Sequence, residues 1–467
     1  FKQKTAYEIM PSLVGSEMCI RDSSRFGQNI QTGLFSKVLM GVYDVQDTYL
    51  NVVGIYTNTT QVDAYRGAGR PEAIYLLERM MDRAARELKI DPLKLRRINF
   101  IKKDNFPYRS STGEMIDVGD FDRVLTAAEK SADINGFESR KKDSKAKGKL
   151  RGLGLCYYIE SILGDPSEET KVVFDKNGSV KIFVGTQSNG QGHETVFAQF
   201  LSDQTGIPAH KITFIQGDSD LIPSGGGTGG SRSVTVQNNA TLATVEKLIQ
   251  SFSQYLSEKL KVNVLDVEFD DISFRVSGSN FSPNMLEVAE MALDDQKFDL
   301  LTHSAKATLE ARSFPNGAHF AEVEIDPETG FIQVVNYSVV DDFGNLINPM
   351  LAEGQVHGGV AQGIGQALYE HVVYDSEGQL LTASFMDYGM PRAEDLPFYK
   401  FDTECVPSTA NIMGMKGCGE AGTVGALAAV ANAAQDALWD MGINQVDMPL
   451  TSEKIWSLIN SGTIAAE

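Results

Sequence analysis

The stretch MKGCGEAGTVGA, residues 415–426, decides how the rest of the sequence is interpreted. It is rich in glycine and runs directly into an apolar helical pattern over Thr423 to Trp439. Glycine lets the backbone approach a ligand and adopt positive φ angles. The free N–H groups and the positive dipole end at a helix start favour anions. The stretch therefore predicts a helix whose first turn faces a bound ligand.

Three further glycine-rich stretches also run into helical patterns. They are GTQSNGQGHE (185–194), SGGGTGGSRS (224–233) and GQVHGGVAQGIGQ (354–366). Any one of them, taken alone, is more often a turn or a connector than a binding loop. Several such helix starts converging would form a site for a large ligand that carries phosphates. None matches the P-loop or the GxGxxG of a βαβ unit, so simple nucleotide binding is not supported.

The composition is that of a globular protein with two or more domains. The chain has 467 residues, of which 42% are apolar and 22% charged. Its formal net charge of −20 opposes binding to nucleic acid phosphates and to anionic lipid. We therefore expect no nucleic acid partner and no membrane insertion.

The four cysteines are Cys19, Cys156, Cys405 and Cys418. They form neither a disulfide framework nor a CxxC metal pattern, so the reduced cytoplasm is the expected compartment. An iron–sulfur cluster takes about four cysteines. Any such cluster is therefore expected on another chain.

Local patterns predict a mixed α+β fold. A helix should start at Pro71, where apolar residues repeat at helical spacing, and a second should follow from Asp91. Another long helical pattern covers Val234 to Leu260. Hairpins are predicted about Asn177 and Gly178 and about DPETG (326–330).

The chain divides into four segments. Residues 1–23 read like translated adapter sequence and are expected to be non-native, the alternative being a native, poorly ordered N-terminus. Residues 24–135 and 151–467 are predicted to be domains. Between them, residues 136–150 include the basic run SRKKDSKAKGKL (139–150) and are predicted to be a linker.

Five motifs occur together in a recognisable order. They are AYRGAGRPEA (64–73), GTQSNGQGHE, TGGSRS (228–233), GGVAQGIG (358–365) and GCGEAGTVGA (417–426). The chain from Ser24 onwards resembles the C-terminal part of the molybdenum-bearing large subunit of the xanthine dehydrogenase/aldehyde oxidase family. The resemblance implies the mixed, multi-domain molybdopterin-binding fold of that subunit. Residues 24–135 would be the end of its first molybdopterin-binding domain, and 151–467 its second.

The resemblance also implies the cofactor and its contacts. The cofactor would be molybdenum–molybdopterin in the cytosine dinucleotide form, and its metal would take no protein side chain as a ligand. The residues implied to contact it are Gly190, Gln191, Gly192, Thr228, Gly229, Gly230, Ser231, Gln362 and Arg66. Gly67 and Ala68 would lie in the loop on the substrate side.

Glu420 is implied to be the catalytic base. Taken alone, a glutamate after a glycine is usually a charge that complements the helix dipole. In this family a glutamate at the same motif position takes a proton as oxygen attacks the substrate carbon. General base catalysis of this kind contributes about 10²- to 10⁴-fold.

Other polar residues are assigned no catalytic role. The scattered histidines His193, His319, His357 and His371 form no metal-binding motif and are expected to make structural hydrogen bonds, although His193 could lie near the cofactor. Asp341 and Asp342 are predicted to form a solvated strand end. Cys418 lies near Glu420 in sequence but receives no role from the resemblance.

The resemblance implies an oxidoreductase that hydroxylates an aldehyde or an aromatic N-heterocycle with water as the oxygen source. Electrons would leave through a small iron–sulfur subunit and a medium FAD subunit, in a dimer of heterotrimers. The N-terminal half of the large subunit would be missing from this chain. The motif set also resembles carbon monoxide dehydrogenase, but Gly67 stands where its copper-binding cysteine would be. The alternative function is a non-catalytic scaffold, against which Glu420 and Gln191 argue.

Overall fold

The computed structural model describes residues 18–21, 27–55 and 63–464. The helices in these ranges are α1 (Gly27–Val38), α2 (Arg70–Leu88), α3 (Pro92–Asn99), α4 (Phe121–Ala132), α5 (Phe137–Ala146), α6 (His193–Thr205), α7 (Ser233–Leu260), α8 (Met285–Asp294), α9 (Pro349–Leu368), α10 (Ala421–Trp439) and α11 (Ser452–Ile464). The strands are β1 (Met18–Arg21), β2 (Val52–Ile55), β3 (Tyr108–Arg109), β4 (Met115–Ile116), β5 (Leu150–Ile159), β6 (Ser167–Phe174), β7 (Val180–Val184), β8 (Ile212–Ile215), β9 (Val267–Phe269), β10 (Phe274–Val276), β11 (Thr302–Thr308), β12 (Asn316–Ile325), β13 (Ile332–Asp342) and β14 (Tyr399–Thr403). The mixture confirms the α+β prediction.

A four-stranded central sheet has the order β14-β13-β12-β5. β12 runs antiparallel to β13 and to β5, whereas β14 runs parallel to β13. β12 and β13 form the hairpin predicted about residues 326–330. All but one residue of β12 is buried, so both faces of this strand are covered.

A second sheet has the order β11-β6-β7-β8. Strands β6 and β7 form the hairpin predicted about Asn177 and Gly178. Helix α7 packs on this sheet, and its Leu248 and Phe252 share a core with Val172 and Ile182 of the strands. The helix matches the predicted pattern closely.

Helix α10 lies unusually close to the central sheet. A Cβ atom added to Gly154 of β5 would lie 2.0 Å from the carbonyl oxygen of Ala429, and one added to Gly152 would lie 2.0 Å from that of Ala433. Small residues on both elements therefore allow backbone to approach backbone. This packing fixes the middle of α10 against the sheet.

The predicted linker at 136–150 is folded structure in this protein. It contains α5 and the first residue of β5. Arg140 donates from Nη2 to Glu322 Oε1 of β12 at 2.7 Å. The apolar spacing did not predict this helix because only two of its residues, Phe137 and Ser144, are buried. The domain boundary itself stays a prediction.

One hydrophobic core includes residues from both sides of that segment. It joins Ile74 and Leu77 of α2 to Val323 of β12 and Val430 of α10. The loop before α2 is thereby held against the start of α10.

The glycine-rich stretch 354–366 lies inside a helix rather than at its start. Helix α9 begins at Pro349, and the Asn348 side chain caps it by accepting from the Leu351 N–H at 3.1 Å. The prediction of a glycine-rich helix start is therefore wrong for this stretch. It holds for the other three, which lead into α6, α7 and α10.

The prediction that Asp341 and Asp342 are solvated is wrong. Both residues are fully buried at the end of β13. Tyr158 Oη donates to Asp341 Oδ1 at 2.9 Å, and Lys416 Nζ lies 2.5 Å from Asp342 Oδ2. A lysine distant in sequence thus neutralises a carboxylate that the strand pattern alone would leave in water.

Part of the segment 1–23 pairs with the rest of the chain. Strand β1 runs parallel to β2, with Met18 opposite Val52. The remainder of that segment lies outside the described residues, and its non-native origin stays a prediction. Across the described ranges, no helix has both the length and the apolar character needed to cross a membrane.

Candidate active site

Glu420 immediately precedes α10 and is held by three other residues. Its Oε1 accepts from the Gly67 N–H at 2.9 Å. Its Oε2 accepts from Arg70 Nη2 at 2.5 Å and from Ser231 Oγ at 2.9 Å. The Glu420 N–H also donates to Ser231 Oγ at 3.1 Å. The carboxylate is therefore fixed by the loop before α2, by the first residue of α2 and by the loop before α7.

These contacts keep Glu420 ionised. Burial alone would raise the pKa of the carboxyl group, but the charge of Arg70 and the hydrogen bonds from Gly67 and Ser231 lower it below its ordinary value. The side chain remains 14% exposed, so a small molecule can reach it. The result is an anchored carboxylate that is ionised at neutral pH.

Arg70 and Glu160 belong to the same cluster, although the sequence analysis assigned neither. Arg70 donates from Nη1 to Glu160 Oε1 and to the Ser161 carbonyl, both at 2.8 Å. Its Nε donates to the Gly67 carbonyl at 2.6 Å. Both side chains are almost completely buried, at 1% and 0% exposed. The available signals were an arginine opening an apolar helix and a glutamate ending the apolar run YYI (157–159).

Arg66 ties the Glu420 loop to α9. It donates from Nε to the Gly419 carbonyl at 2.6 Å and from Nη1 to Gln362 Oε1 at 2.9 Å. Its Nη2 donates to both the backbone and the side-chain oxygen of Gln355, at 3.0 and 3.1 Å. Arg66 and Gln362, which are predicted from the motifs to contact the cofactor, thus lie next to the catalytic candidate.

The 224–231 loop brings Ser231 to Glu420 and meets the 185–192 loop at its other end. Ser231 adopts a positive φ of 55°, uncommon for a residue with a side chain. Thr228 donates from Oγ1 to the Gln187 carbonyl at 2.5 Å. Gly230 accepts from the Leu163 N–H at 2.8 Å.

The structure groups the predicted site residues into two sets. Arg66, Gly67, Ser231 and Gln362 converge with Glu420. Ala68 is buried in the same loop, with a positive φ of 31°.

The second set is Gly190, Gln191 and Gly192, together with Thr228 and Gly229. Here Gln191 Oε1 accepts from Ser188 Oγ at 3.3 Å and from the Asn189 N–H. This set is joined to Glu420 through the 224–231 loop, with no direct hydrogen bond among the described residues.

Several glycines beside these loops face open space. A Cβ atom added at Gly190, Gly229 or Gly354 would meet no atom within 4 Å. Gly190 has a positive φ, but Gly229 and Gly354 do not. Gly354 also lies within α9, where glycine costs about 0.5–1 kcal/mol relative to alanine. Neither packing nor backbone conformation requires these two glycines, and the space beside the backbone is open at both positions.

Two of the four histidines make the predicted structural hydrogen bonds, whereas Nε2 of His357 is buried without a hydrogen-bond partner among the described residues and the expectation for His371 stays a prediction. His193 contacts the Thr186 carbonyl at 2.9 Å and His319 contacts Tyr337 Oη at 2.7 Å, both structural hydrogen bonds. Burial raises the pKa of the Cys418 thiol to about 12, with the charge of Glu160 adding to the effect. In the part of the chain that the structure describes, no three His, Cys, Asp or Glu side chains are grouped to hold a metal.

Comparison with known proteins identifies the class. Two family models, each described as a molybdopterin cofactor-binding domain, match residues 22–100 and 127–397. The second alone covers more than half of the chain. The chain therefore belongs to the molybdopterin cofactor-binding family of molybdenum hydroxylase large subunits, as the five motifs predict.

Particular relatives share much of this chain. It is 33% identical to the carbon monoxide dehydrogenase large chain of Afipia carboxidovorans, over 91% of this chain and 55% of the relative. It is 34% identical to the nicotine 6-hydroxylase large subunit of Paenarthrobacter nicotinovorans, over 89% and 53%. The solved quinoline 2-oxidoreductase from Pseudomonas putida 86 matches with a TM-score of 0.89 and 29% identity, over 95% of this chain and 59% of that one. The chain thus spans about half the length of the curated relatives it matches.

Proposed function

We propose that this chain forms the C-terminal part of the large subunit of a molybdenum hydroxylase. Its substrate would be an aldehyde or an aromatic N-heterocycle, hydroxylated with oxygen from water. The observation that carries the proposal is Glu420, an ionised and anchored carboxylate at the edge of open glycine-rich loops. The nicotine and quinoline named for two relatives support the N-heterocycle class.

The glycine-rich loops are proposed to hold the cofactor as its cytosine dinucleotide. Gly190, Gln191 and Gly192 would contact it from one side, and the run from Thr228 to Ser231 from another, with Arg66 and Gln362 between α9 and the Glu420 loop. Free backbone N–H groups at the starts of α6 and α7 suit its phosphates. When bound, the molybdenum cofactor supplies the two-electron redox chemistry.

This chain's own residues would handle the proton. Oε2 of Glu420 already accepts two hydrogen bonds, whereas Oε1 accepts one. A carboxylate oxygen has two lone pairs. Oε1 is therefore the atom proposed to take the proton, with Gly67 and Ala68 on the substrate side of it.

The rest of the machinery is proposed to lie on other polypeptides. A small iron–sulfur subunit and a medium FAD subunit would carry electrons away, in a cytoplasmic dimer of heterotrimers. Residues 24–135 would complete the first molybdopterin-binding domain and 151–467 would form the second. The two matched family regions, 22–100 and 127–397, support a division into two units, although the second match begins inside the segment 24–135.

Glu420→Gln tests the proposal. The amide keeps the shape of the side chain but cannot accept the proton, so turnover should fall by at least about 10² while molybdenum content is unchanged. Activity would be measured in the assembled enzyme on quinoline, nicotine and benzaldehyde, with a redox dye as the electron acceptor.

The matched control is Glu322→Gln, which removes another buried carboxylate, one that pairs with Arg140 and Arg151 away from the site. Retention of more than about a tenth of the activity in Glu420→Gln would refute the base assignment. A wild-type complex without molybdenum would instead favour the scaffold alternative.

A further inference from the structure

We propose that Glu160 is a positioning residue that shares a single proton with Glu420 across Arg70, being neutral while Glu420 is charged. The proposal rests on the base role given to Glu420 above. It adds a second carboxyl group, buried behind the first, whose protonation state determines how Arg70 holds the base.

The geometry places one guanidinium between two carboxyl groups. Arg70 donates from Nη1 to Glu160 Oε1 at 2.8 Å and from Nη2 to Glu420 Oε2 at 2.5 Å. Oε2 of Glu160 is buried and has no hydrogen-bond partner. An ionised oxygen left without a partner in the interior is far more costly than a neutral one. The unpartnered atom therefore favours the protonated form of Glu160.

The charge balance leads to the same result. With both carboxyl groups ionised, Arg70 would face two negative charges out of water, and one cation balances only one of them. Arg66 is the other cation affected by both carboxylates, but its hydrogen bonds go to carbonyl and amide oxygens. Tyr158 and Cys418, which also face Glu160, are kept neutral by burial.

The pKa values of the two carboxyl groups are shifted in opposite directions. Burial raises the pKa of Glu160 to about 8; Arg70 and the hydroxyl group of Ser231 oppose the shift, and the charge and the hydrogen bonding of Glu420 add to it. The pKa of Glu420 is lowered, as described above. At neutral pH the proton therefore resides on Glu160.

Neutral Glu160 leaves Arg70 free to bind Glu420 strongly. If Glu160 ionises, it competes for the guanidinium and repels the base, so Glu420 loses its fixed orientation. If Glu420 is made neutral, the repulsion on Glu160 disappears and Arg70 favours its ionised form. Protonation of either carboxyl group thus depends on the other.

Infrared difference spectra of the purified holoenzyme at pH 7 test whether Glu160 and Glu420 share one proton. This measurement does not depend on enzymatic activity. A protonated carboxyl group has a C=O stretch separate from the bands of a carboxylate. The wild-type minus Glu160→Gln spectrum should show one protonated carboxyl lost, and so should wild-type minus Glu420→Gln. Glu322→Gln should show no such loss, because its arginine partners lower the pKa of Glu322 despite burial.

The pH profile supplies the second readout. Wild-type kcat/KM should decline as pH rises through about 8, where Glu160 ionises. Glu160→Gln, which imitates the neutral form, should lose that alkaline inflection.

Three results would overturn the proposal. One is a protonated-carboxyl signal that survives Glu160→Gln. Another is full retention of that signal in Glu420→Gln, which shows that burial alone holds the proton; this test does not require the Glu160 variant to fold. The last is an alkaline inflection that persists in Glu160→Gln. An active Glu420→Gln enzyme would refute the base role itself, whatever the infrared result.

Discussion

Helices α9 and α10 cross at two glycines, and this contact sets the position of Glu420. A Cβ atom added at Gly422 would lie 2.4 Å from the Val356 carbonyl oxygen and 2.7 Å from the Val360 nitrogen. In the opposite direction, a Cβ atom at Gly359 would lie 2.9 Å from the Gly422 Cα. Unstrained contacts lie near 3.5 Å, so Gly422→Ala requires the helices to separate by about 1 Å. No side-chain rotation can relieve a clash with backbone.

The separation should lower both stability and activity. Over-packing costs about 1–3 kcal/mol, against a gain of about 1 kcal/mol from replacing glycine with alanine in a helix. The expected net loss is about 0–2 kcal/mol. Arg66 joins Gln362 of α9 to Gly419 beside the base, so Glu420 must move relative to α9. A misplacement of about 1 Å can lower kcat/KM by about 10².

Denaturant unfolding of the chain and steady-state kinetics of the assembled enzyme measure the two effects. Gly33→Ala is the matched control, since Gly33 lies in α1 with no atom within 4 Å of an added Cβ. That substitution should stabilise the protein slightly and leave kcat/KM unchanged. If Gly422→Ala stabilises the protein as much as Gly33→Ala does, with kcat/KM intact, the close crossing does not position the base.

Two further predictions concern the loops around Glu420. Ser231→Ala removes one hydrogen bond to Glu420 Oε2 and the acceptor of its N–H, so kcat/KM at neutral pH should fall about tenfold. Because Ser231 helps to lower the pKa of Glu420, the acid limb of the pH profile should move to higher pH, and an unmoved limb would contradict that role. The assembled enzyme should contain no copper beside molybdenum and should not oxidise carbon monoxide. Gly67 has a φ of 101° and a Cβ there would lie 2.6 Å from Pro71 Cγ, so the loop has no room for a thiolate; one copper per molybdenum with carbon monoxide turnover would overturn this.

Local features of the fold could be predicted because local physics decides them. Pro71 and the apolar spacing after it predict α2, and Asn177 with Gly178 predicts the β6–β7 turn. Ser231 and Gln362 could be placed beside Glu420 only through the family motifs. Ser231 lies 189 residues from Glu420 in sequence, and Arg66 lies 296 residues from Gln362. No local sequence pattern can predict contacts over such separations.

Buried charges could not be predicted, since their cost is offset by partners far along the chain. From the sequence alone, Asp342 is predicted to be the exposed polar end of a strand. In the structure it is buried and paired with Lys416. Glu160 likewise reads as the polar end of β5, yet it is enclosed and shares Arg70 with Glu420. Charged residues are mostly exposed unless they are paired. The pairing depends on the tertiary fold, so it cannot be predicted from local sequence.

The glycines of α9 have two different roles: some allow close packing against α10, and one leaves open space beside the helix. Gly359 and Gly363 lie against Gly422 and Ala426 of α10, where a Cβ atom would come within 2.9 Å and 2.4 Å of its neighbours. Gly354 faces open space on the same helix. The first two bring the helix that binds Arg66 close to the helix that Glu420 immediately precedes, whereas Gly354 leaves room for a ligand beside them. The repeated glycine would therefore serve both to position the proposed base and to expose the surface on which the proposed cofactor would lie.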